Sequence, residues 1–187
     1  MVTFYLVRHG QTDWNKEQKL QGQKDIPMND EGIRQMNELA DKLAVFGIQA
    51  DVIISSPLER AKESAQMIAD RIGYTEAITI DANFLERNFG SLEGVRWNPE
   101  LNLEDPKYQV ESVSDLCDRA KKALSKYTFA DDMNVMIVSH GAMLAAIKCA
   151  LSDGLIPYED RSVPIIQGNV LCCEKAFGQE PRFYNLF

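Results

Sequence analysis

Three short apolar runs constrain the fold of this chain more than any other feature, because each is continuous instead of alternating. They are TFYLV (3–7), DVII (51–54) and NVMIV (134–138), and all are rich in β-branched or aromatic residues. Runs of this kind are typical of strands buried on both faces, as in a parallel sheet between two layers of helices. Weaker strands are predicted at 77–80 and 169–176.

Helices are predicted between these strands. Residues 29–47 carry apolar side chains at helical spacing behind Asn29, the expected N-cap. For the next helix, Ser56 is the expected N-cap, with Pro57 at the first helical position and Glu59 completing a capping box. Two more helices are predicted at about 114–127 and 142–151. The alternation predicts an α/β fold, a three-layer α/β/α sandwich with a mostly parallel central sheet.

The length and composition fit one domain. With 187 residues, of which 45% are apolar, the chain can build a single hydrophobic core, so we expect one domain over residues 1–187. The segment 90–113 differs from its surroundings, because it is acidic, contains two prolines and shows no sustained periodicity. Loops of this length often cover a binding site, and we predict that this one forms a small cap or lid.

Charge and cysteine usage exclude several classes of protein. The net charge of -8 argues against a nucleic-acid-binding protein, which normally carries a basic patch. No run approaches the ~20 apolar residues of a membrane span, and the first residues lack the basic region of a signal peptide. The cysteines form no C-x-x-C pair, so we expect reduced thiols in a cytoplasmic protein. These residues are Cys117, Cys149, Cys172 and Cys173.

The histidines and two arginines follow the predicted strands. Arg8 and His9 come after the first strand, Arg60 lies in the helix after the second, and His140 comes after the run at 134–138. The carboxyl ends of parallel strands share one edge of the sheet, where ligands of open α/β folds bind. We therefore expect both histidines of the chain and these arginines to meet in one site.

Two histidines and two arginines are suited to phosphoryl transfer. An imidazole can attack phosphorus, while guanidinium groups bind the phosphate oxygens in pairs. Gly10 and Gly141 would allow a close backbone approach, and Glu86 is a candidate proton donor for the leaving alcohol, with Glu93 as its rival.

A zinc site is the main competitor of this interpretation, but the arginines would repel a cation and no H-E-x-x-H spacing occurs. The sequence also lacks the G-x-S-x-G and G-x-x-x-x-G-K motifs.

Four motifs in order, LVRHGQTDWN, SSPLERAKESA, LERNFGSLEG and VSHGAML, resemble those of the histidine phosphatase superfamily. The similar branch includes cofactor-dependent phosphoglycerate mutases and related phosphatases, and the resemblance covers nearly the whole chain. It implies catalysis by His9, as the nucleophile that carries a transient phosphohistidine, with Glu86 and His140. It also implies phosphate binding without a metal or other cofactor by Arg8, Asn15, Gln21, Arg60 and Gly141.

The resemblance leaves a choice between phosphatase and mutase. Mutases of this family carry a long basic insertion between the acid and the second histidine, whereas His140 follows Glu86 here by only 54 residues. This difference favours a short-cap phosphatase that acts on small-molecule phosphate esters. A mutase-type phosphotransferase is the alternative, and a phospholigand-binding module without catalysis is a third hypothesis.

Overall fold

A computed structural model describes residues 1–176 and 178–187. Within these residues the chain forms one six-stranded sheet and five α-helices. The strands are β1 (Val2–Arg8), β2 (Val52–Ser55), β3 (Thr79–Ile80), β4 (Asn134–Ser139), β5 (Val170–Lys175) and β6 (Arg182–Asn185). The helices are α1 (Asp13–Lys16), α2 (Asp30–Val45), α3 (Glu59–Ile72), α4 (Val113–Ser125) and α5 (Gly141–Leu151).

The sheet order is β3-β2-β4-β1-β5-β6. The pairings β1–β4, β2–β4 and β2–β3 are parallel, whereas β5 runs antiparallel to β1 and β6 antiparallel to β5. The prediction of a mostly parallel central sheet is therefore confirmed. All five predicted strands are present, although the one predicted at 77–80 is reduced to two residues.

Helices cover both faces of the sheet, as the continuous apolar runs predict. Along β1, Phe4 and Leu6 pack into one core cluster with residues of α4 and α5. Tyr5 and Val7 point to the opposite face and pack with residues of α2 and α3. Because both faces of the strand are buried, the run cannot alternate between apolar and polar residues. The three-layer α/β/α sandwich is confirmed.

The start of α3 differs from the prediction. The helix begins at Glu59 with Leu58 as its N-cap, so the expected cap at Ser56 and the capping box are wrong. Leu58 keeps an extended backbone. The backbone N–H of Glu59, the first residue of the helix, donates instead to Asp25 Oδ1 at 2.8 Å. The Ser56 hydroxyl is left to contact His140, as described below.

Up to Val113, where α4 begins, the segment 90–113 forms two short 3₁₀ turns, Gly90–Leu92 and Pro106–Tyr108. It lies against the loop after α1 through backbone hydrogen bonds. Leu20 N donates to Val95 O at 2.9 Å, and Gly94 N donates to Leu20 O at 2.8 Å. Across the described residues, every helix is too short or too polar to traverse a lipid bilayer.

Candidate active site

The parallel pairing of β1 with β4 brings the two histidines together. Arg8 lies opposite Ser139 in the register, and His9 N donates to Ser139 O at 3.1 Å. Each histidine is the next residue after its strand, so both imidazoles emerge at the same edge of the sheet. Their ring centroids are 5.1 Å apart and the rings are tilted by 57°.

A cavity of about 190 Å³ lies at this edge. Seven of the eight residues predicted for the site line it: Arg8, His9, Asn15, Gln21, Arg60, Glu86 and Gly141. The eighth, His140, is completely buried and is not among the lining residues, but its ring neighbours that of His9, which lines the cavity. The remaining walls come from residues that the sequence did not single out: Lys19, Leu20, Gly22, Phe89 and Ala142.

The ring of His9 is fixed in one orientation. Its Nδ1 lies 2.7 Å from the carbonyl oxygen of Gly10. A carbonyl can only accept a hydrogen bond, so Nδ1 carries the proton and Nε2 keeps its lone pair. Burial, followed by the positive charges of Arg60 and Arg8, lowers the pKa of His9 well below its usual value. The site therefore holds a neutral imidazole with a free lone pair at neutral pH.

His140 has one satisfied ring nitrogen. Its Nε2 lies 2.7 Å from the hydroxyl of Ser56, whereas Nδ1 is buried without a hydrogen-bond partner among the described residues. Burial lowers the pKa of His140 well below its usual value, and His9 and Arg60 lower it further. If the Ser56 hydroxyl donates to Nε2, the proton lies on Nδ1, which becomes an unused donor beside His9.

Arg60 is buried and Arg8 is half-buried, and both arginines keep spare donors. Arg60 is completely buried and donates to Lys24 O at 2.7 Å and to Gly22 O at 2.9 Å. Its Nε and the Nε of Arg8 have no partner among the described residues. Burial lowers the pKa of both guanidinium groups. Buried cations require compensation, and an anion in the cavity would supply it.

Two amide side chains present donors to the same cavity. The Oδ1 of Asn15 accepts from Thr12 N at 3.1 Å and from Gln167 Nε2 at 3.1 Å. The Oε1 of Gln21 accepts from Thr12 Oγ1 at 2.8 Å. Because both amide oxygens are bound on the protein side, the amide N–H groups remain for a ligand. Thr12 and Gln167 orient these side chains, and Gln167 could not be found from the sequence because it lies 152 residues from Asn15.

Glu86 lies at the amino-terminal end of α5. Its Oε1 accepts from Arg87 N at 2.8 Å and from Met143 N at 3.1 Å, and its Oε2 accepts from Ala142 N at 3.3 Å. The rival acid Glu93 accepts from Gln23 N at 2.9 Å and is not among the cavity-lining residues. The carboxylate available to a ligand in this cavity is therefore that of Glu86.

Arg119 holds the loop that carries Glu86. Its guanidinium donates to Leu85 O at 2.7 Å and to Glu86 O at 3.1 Å, and it binds both carboxylate oxygens of Glu111. Nothing in the sequence around Arg119 indicates this role, because its contacts reach more than 30 residues back along the chain.

The two glycines that follow the histidines have different surroundings. A Cβ on Gly10 would lie 2.5 Å from Gly32 O, so Gly10 is required for packing against the start of α2. A Cβ on Gly141 would lie 3.4 Å from Arg8 Cζ, which is an ordinary contact. None of residues 90–113, all of which are described, lines the cavity. This segment is hydrogen-bonded to the loop at 17–22, which contributes residues 19–22 to the cavity wall, and its role as a cap stays a prediction.

Residues 4–173 match the family model of the histidine phosphatase superfamily (branch 1). A relative from Bacillus subtilis, uncharacterized phosphatase PhoE, is 37% identical over 82% of this chain and 79% of its own length. Phosphoglycerate mutase-like protein 4 of Arabidopsis thaliana is 30% identical over 76% of this chain and 67% of its own length. The chain belongs to the histidine phosphatase superfamily, and the prediction of an enzyme of this class is confirmed.

A solved structure shows the same fold at lower sequence identity. The phosphoserine phosphatase of Entamoeba histolytica, a mutant solved with phosphoserine, aligns with a TM-score of 0.76. It is 24% identical, and the alignment covers 98% of this chain and 95% of that one. The likeness supports the architecture described above.

Proposed function

We propose that this protein is a phosphatase that hydrolyses small phosphate monoesters through a phosphohistidine on His9, without a metal or other cofactor. One observation carries the proposal. Two buried donors without partners among the described residues, Arg8 Nε and Arg60 Nε, and the unpartnered ring nitrogen His140 Nδ1 accompany the neutral ring of His9. Such a set matches a phosphate group, which needs several donors around its oxygens and one nucleophile on phosphorus.

In the first step, His9 Nε2 attacks phosphorus and a P–N bond forms while the ester P–O bond breaks. Glu86 gives its proton to the departing alkoxide, so the alcohol leaves neutral. The arginines neutralise the charge on the phosphate oxygens, His140 donates a hydrogen bond to them, and Asn15, Gln21 and the Gly141 amide complete the binding set.

In the second step, Glu86 takes a proton from water and the resulting hydroxide attacks phosphorus. The P–N bond breaks, inorganic phosphate leaves, and His9 Nε2 regains its lone pair. Glu86 is then protonated again for the next cycle, so the proton and the electron pair both balance. The contacts of Glu86 with the first N–H groups of α5 support this double role, because they hold the carboxylate beside the cavity in both steps.

Hydrolysis is favoured over a mutase reaction by the form of the site. The interval between Glu86 and His140 supplies only Phe89 to the cavity wall, in place of the long basic insertion that the resemblance associates with mutases. The relative that is 37% identical is named a phosphatase, which agrees with this choice. A mutase-type transfer is the second candidate, since the Arabidopsis relative carries that name.

The test is a panel of phosphate esters assayed for released phosphate, with and without a bisphosphate primer. We expect free phosphate without a primer. A transfer between hydroxyls that depends on the primer would identify a mutase, and binding of esters without turnover would identify a binding module. We also propose a cytoplasmic location, because the four cysteines are free thiols in the described structure.

A further inference from the structure

A second cavity opens directly beside the phosphate cavity. It has a volume of about 270 Å³ and shares three walls with the first: Arg8, Gly141 and Ala142. Its outer wall is the segment 158–165, which precedes β5. Sites for small molecules usually measure ~300 Å³ or more. The phosphate cavity at about 190 Å³ therefore needs additional space for a complete ester.

The proposed proton donor stands at the junction of the two cavities. Glu86 accepts from the backbone N–H of Ala142, and Ala142 lines both cavities. The ester oxygen must be within reach of Glu86 when the P–O bond breaks. The carbon side of the ester then extends from this point, and the second cavity is the adjoining space.

The outer wall is tied to α5 by a buried lysine. Lys148 is 1% exposed, and its Nζ donates to Asp160 Oδ1 at 3.1 Å, to Asp160 O at 3.0 Å and to Val163 O at 3.3 Å. The pair contributes no net charge to the cavity. Asp160 Oδ1 also accepts from Ser162 Oγ at 2.7 Å, so this carboxylate is already bound by the wall itself.

Arg161 is the remaining cation of the outer wall. Only its Nη1 is bound, donating to Tyr158 O at 2.8 Å and to Asp160 O at 3.1 Å. The guanidinium lies 5.9 Å from the centre of the Tyr158 ring, and it makes no ion pair with a carboxylate in the described part of the chain. Together with Arg8, it gives the cavity an excess of positive charge and leaves donors for an oxyanion.

We propose that this second cavity binds the alcohol portion of the substrate, and that this portion carries its own anionic group, a carboxylate or a second phosphate, held by Arg161. The inference rests on the proposed phosphatase function and specifies its substrate class. Arg161 is a specificity-determining residue in this scheme, because it contacts the part of the ester that does not react.

Two matched pairs of esters test the proposal. Glycerol 3-phosphate and 3-phosphoglycerate differ in a carboxylate, and fructose 6-phosphate and fructose 1,6-bisphosphate differ in a second phosphate. For each pair, kcat/KM is measured with the unaltered enzyme, with Arg161→Gln and with the control Arg182→Gln, an exposed arginine of β6. We expect the unaltered enzyme to prefer the more anionic member of at least one pair. Arg161→Gln should reduce that preference roughly tenfold, as for loss of one charge-assisted hydrogen bond.

The pair that responds identifies the anionic group, and the control should keep the preference. An unchanged preference in Arg161→Gln, or no preference in the unaltered enzyme, would overturn the inference while leaving the phosphatase function intact. If no ester releases phosphate, both proposals fail. A binding measurement separates substrate recognition from turnover: in a His9→Ala background, Arg161→Gln should raise the dissociation constant of the preferred ester by a similar factor. Equal dissociation constants with and without Arg161→Gln would contradict the assignment of Arg161 to substrate binding.

Discussion

The carboxylate of Glu86 accepts a hydrogen bond of 3.1 Å from the backbone N–H of Met143, in the first turn of the helix that follows His140. The candidate proton donor is thus fixed to the same element that begins behind the second histidine. The first N–H groups of α5 hold both oxygens of this side chain, which lines the cavity. Acid, histidine and helix therefore form a single unit, although 54 residues separate Glu86 from His140.

Replacement of Glu86 by glutamine should slow the hydrolysis of an ester more strongly when its leaving group needs a proton to depart. We expect kcat/KM for an alkyl phosphate to fall roughly 10²-fold or more, because general acid catalysis contributes about that much. For p-nitrophenyl phosphate, whose leaving group departs without a proton, the loss should be much smaller. Steady-state kinetics with both esters measures the contrast. Glu93→Gln is the control, and it should change kcat/KM for both esters in the same proportion. Equal losses in Glu86→Gln would contradict the role of proton donor.

Phosphate should stabilise the folded protein through Arg60. A ligand that binds only the folded state adds about 2.7 kcal/mol at a concentration of 100 times its dissociation constant. We expect inorganic phosphate or vanadate to raise the Tm of the unaltered protein and of Arg71→Gln, an exposed change on the same helix. Arg60→Gln should respond little, because it loses a buried cationic donor. A thermal melt of Arg60→Gln that shifts as much as that of Arg71→Gln would refute the phosphate site.

The two histidines should titrate at lower pH than a free imidazole. Burial and the neighbouring cations lower both pKa values, so below pH ~6.5 the unfolded chain binds more protons than the folded protein. Stability should therefore fall as the pH drops below about 6.5, and the acid limb of kcat/KM should lie below that value. With only two imidazoles in the chain, an NMR titration resolves each, using His140→Gln for assignment.

Bound phosphate should reverse the shift for His140. The negative charge favours an imidazolium, so vanadate or phosphate should raise the pKa of His140 in the same NMR titration. Because the two rings lie 5.1 Å apart, their protonation is coupled and the two curves should depart from simple titrations. Two independent curves at ordinary imidazole pKa values, with or without phosphate, would show that the rings are not enclosed in one charged site.

The two glycines that follow the histidines should respond differently to alanine. In Gly10→Ala the new methyl would meet the Gly32 carbonyl, and overpacking of this kind costs about 1–3 kcal/mol or more. In Gly141→Ala the nearest atom is Arg8 Cζ at 3.4 Å, and alanine favours the helix, so the change in unfolding free energy should stay within about 1 kcal/mol. Chemical denaturation of both variants measures the difference. Similar losses would indicate that the backbone at Gly10 is less tightly packed than described.

The sequence predicts the central elements of the site because they depend on local rules. Continuous apolar runs indicate buried parallel strands, and the residues at the carboxyl end of each strand lie at the ligand-binding edge. Arg8, His9 and His140 are placed by this rule alone. Arg60 follows because it is the second residue of the helix after β2.

The contacts between distant segments could not be read from the sequence. Ser56 looks like a helix cap, because serine before Pro-Leu-Glu commonly serves that purpose, yet its hydroxyl binds His140, 84 residues away. The first N–H of α3 donates instead to Asp25, which no local pattern connects with this helix. The backbone of the segment 90–113 pairs with the loop at 17–22, a partner that no local pattern indicates. In each case tertiary packing determines which distant segment the group contacts.

The measurement that tests the central claim most directly is the trapping of phosphate on His9. Labelled ester is mixed with enzyme, quenched without acid within one turnover, and the phosphorylated peptide is mapped by mass spectrometry. The chain has only two histidines, so the label can be assigned without ambiguity. We predict phosphate on His9 in the unaltered enzyme, more of it in a variant that slows the second step, and none in His9→Ala. Label on another residue, or normal turnover by His9→Ala, would contradict the account.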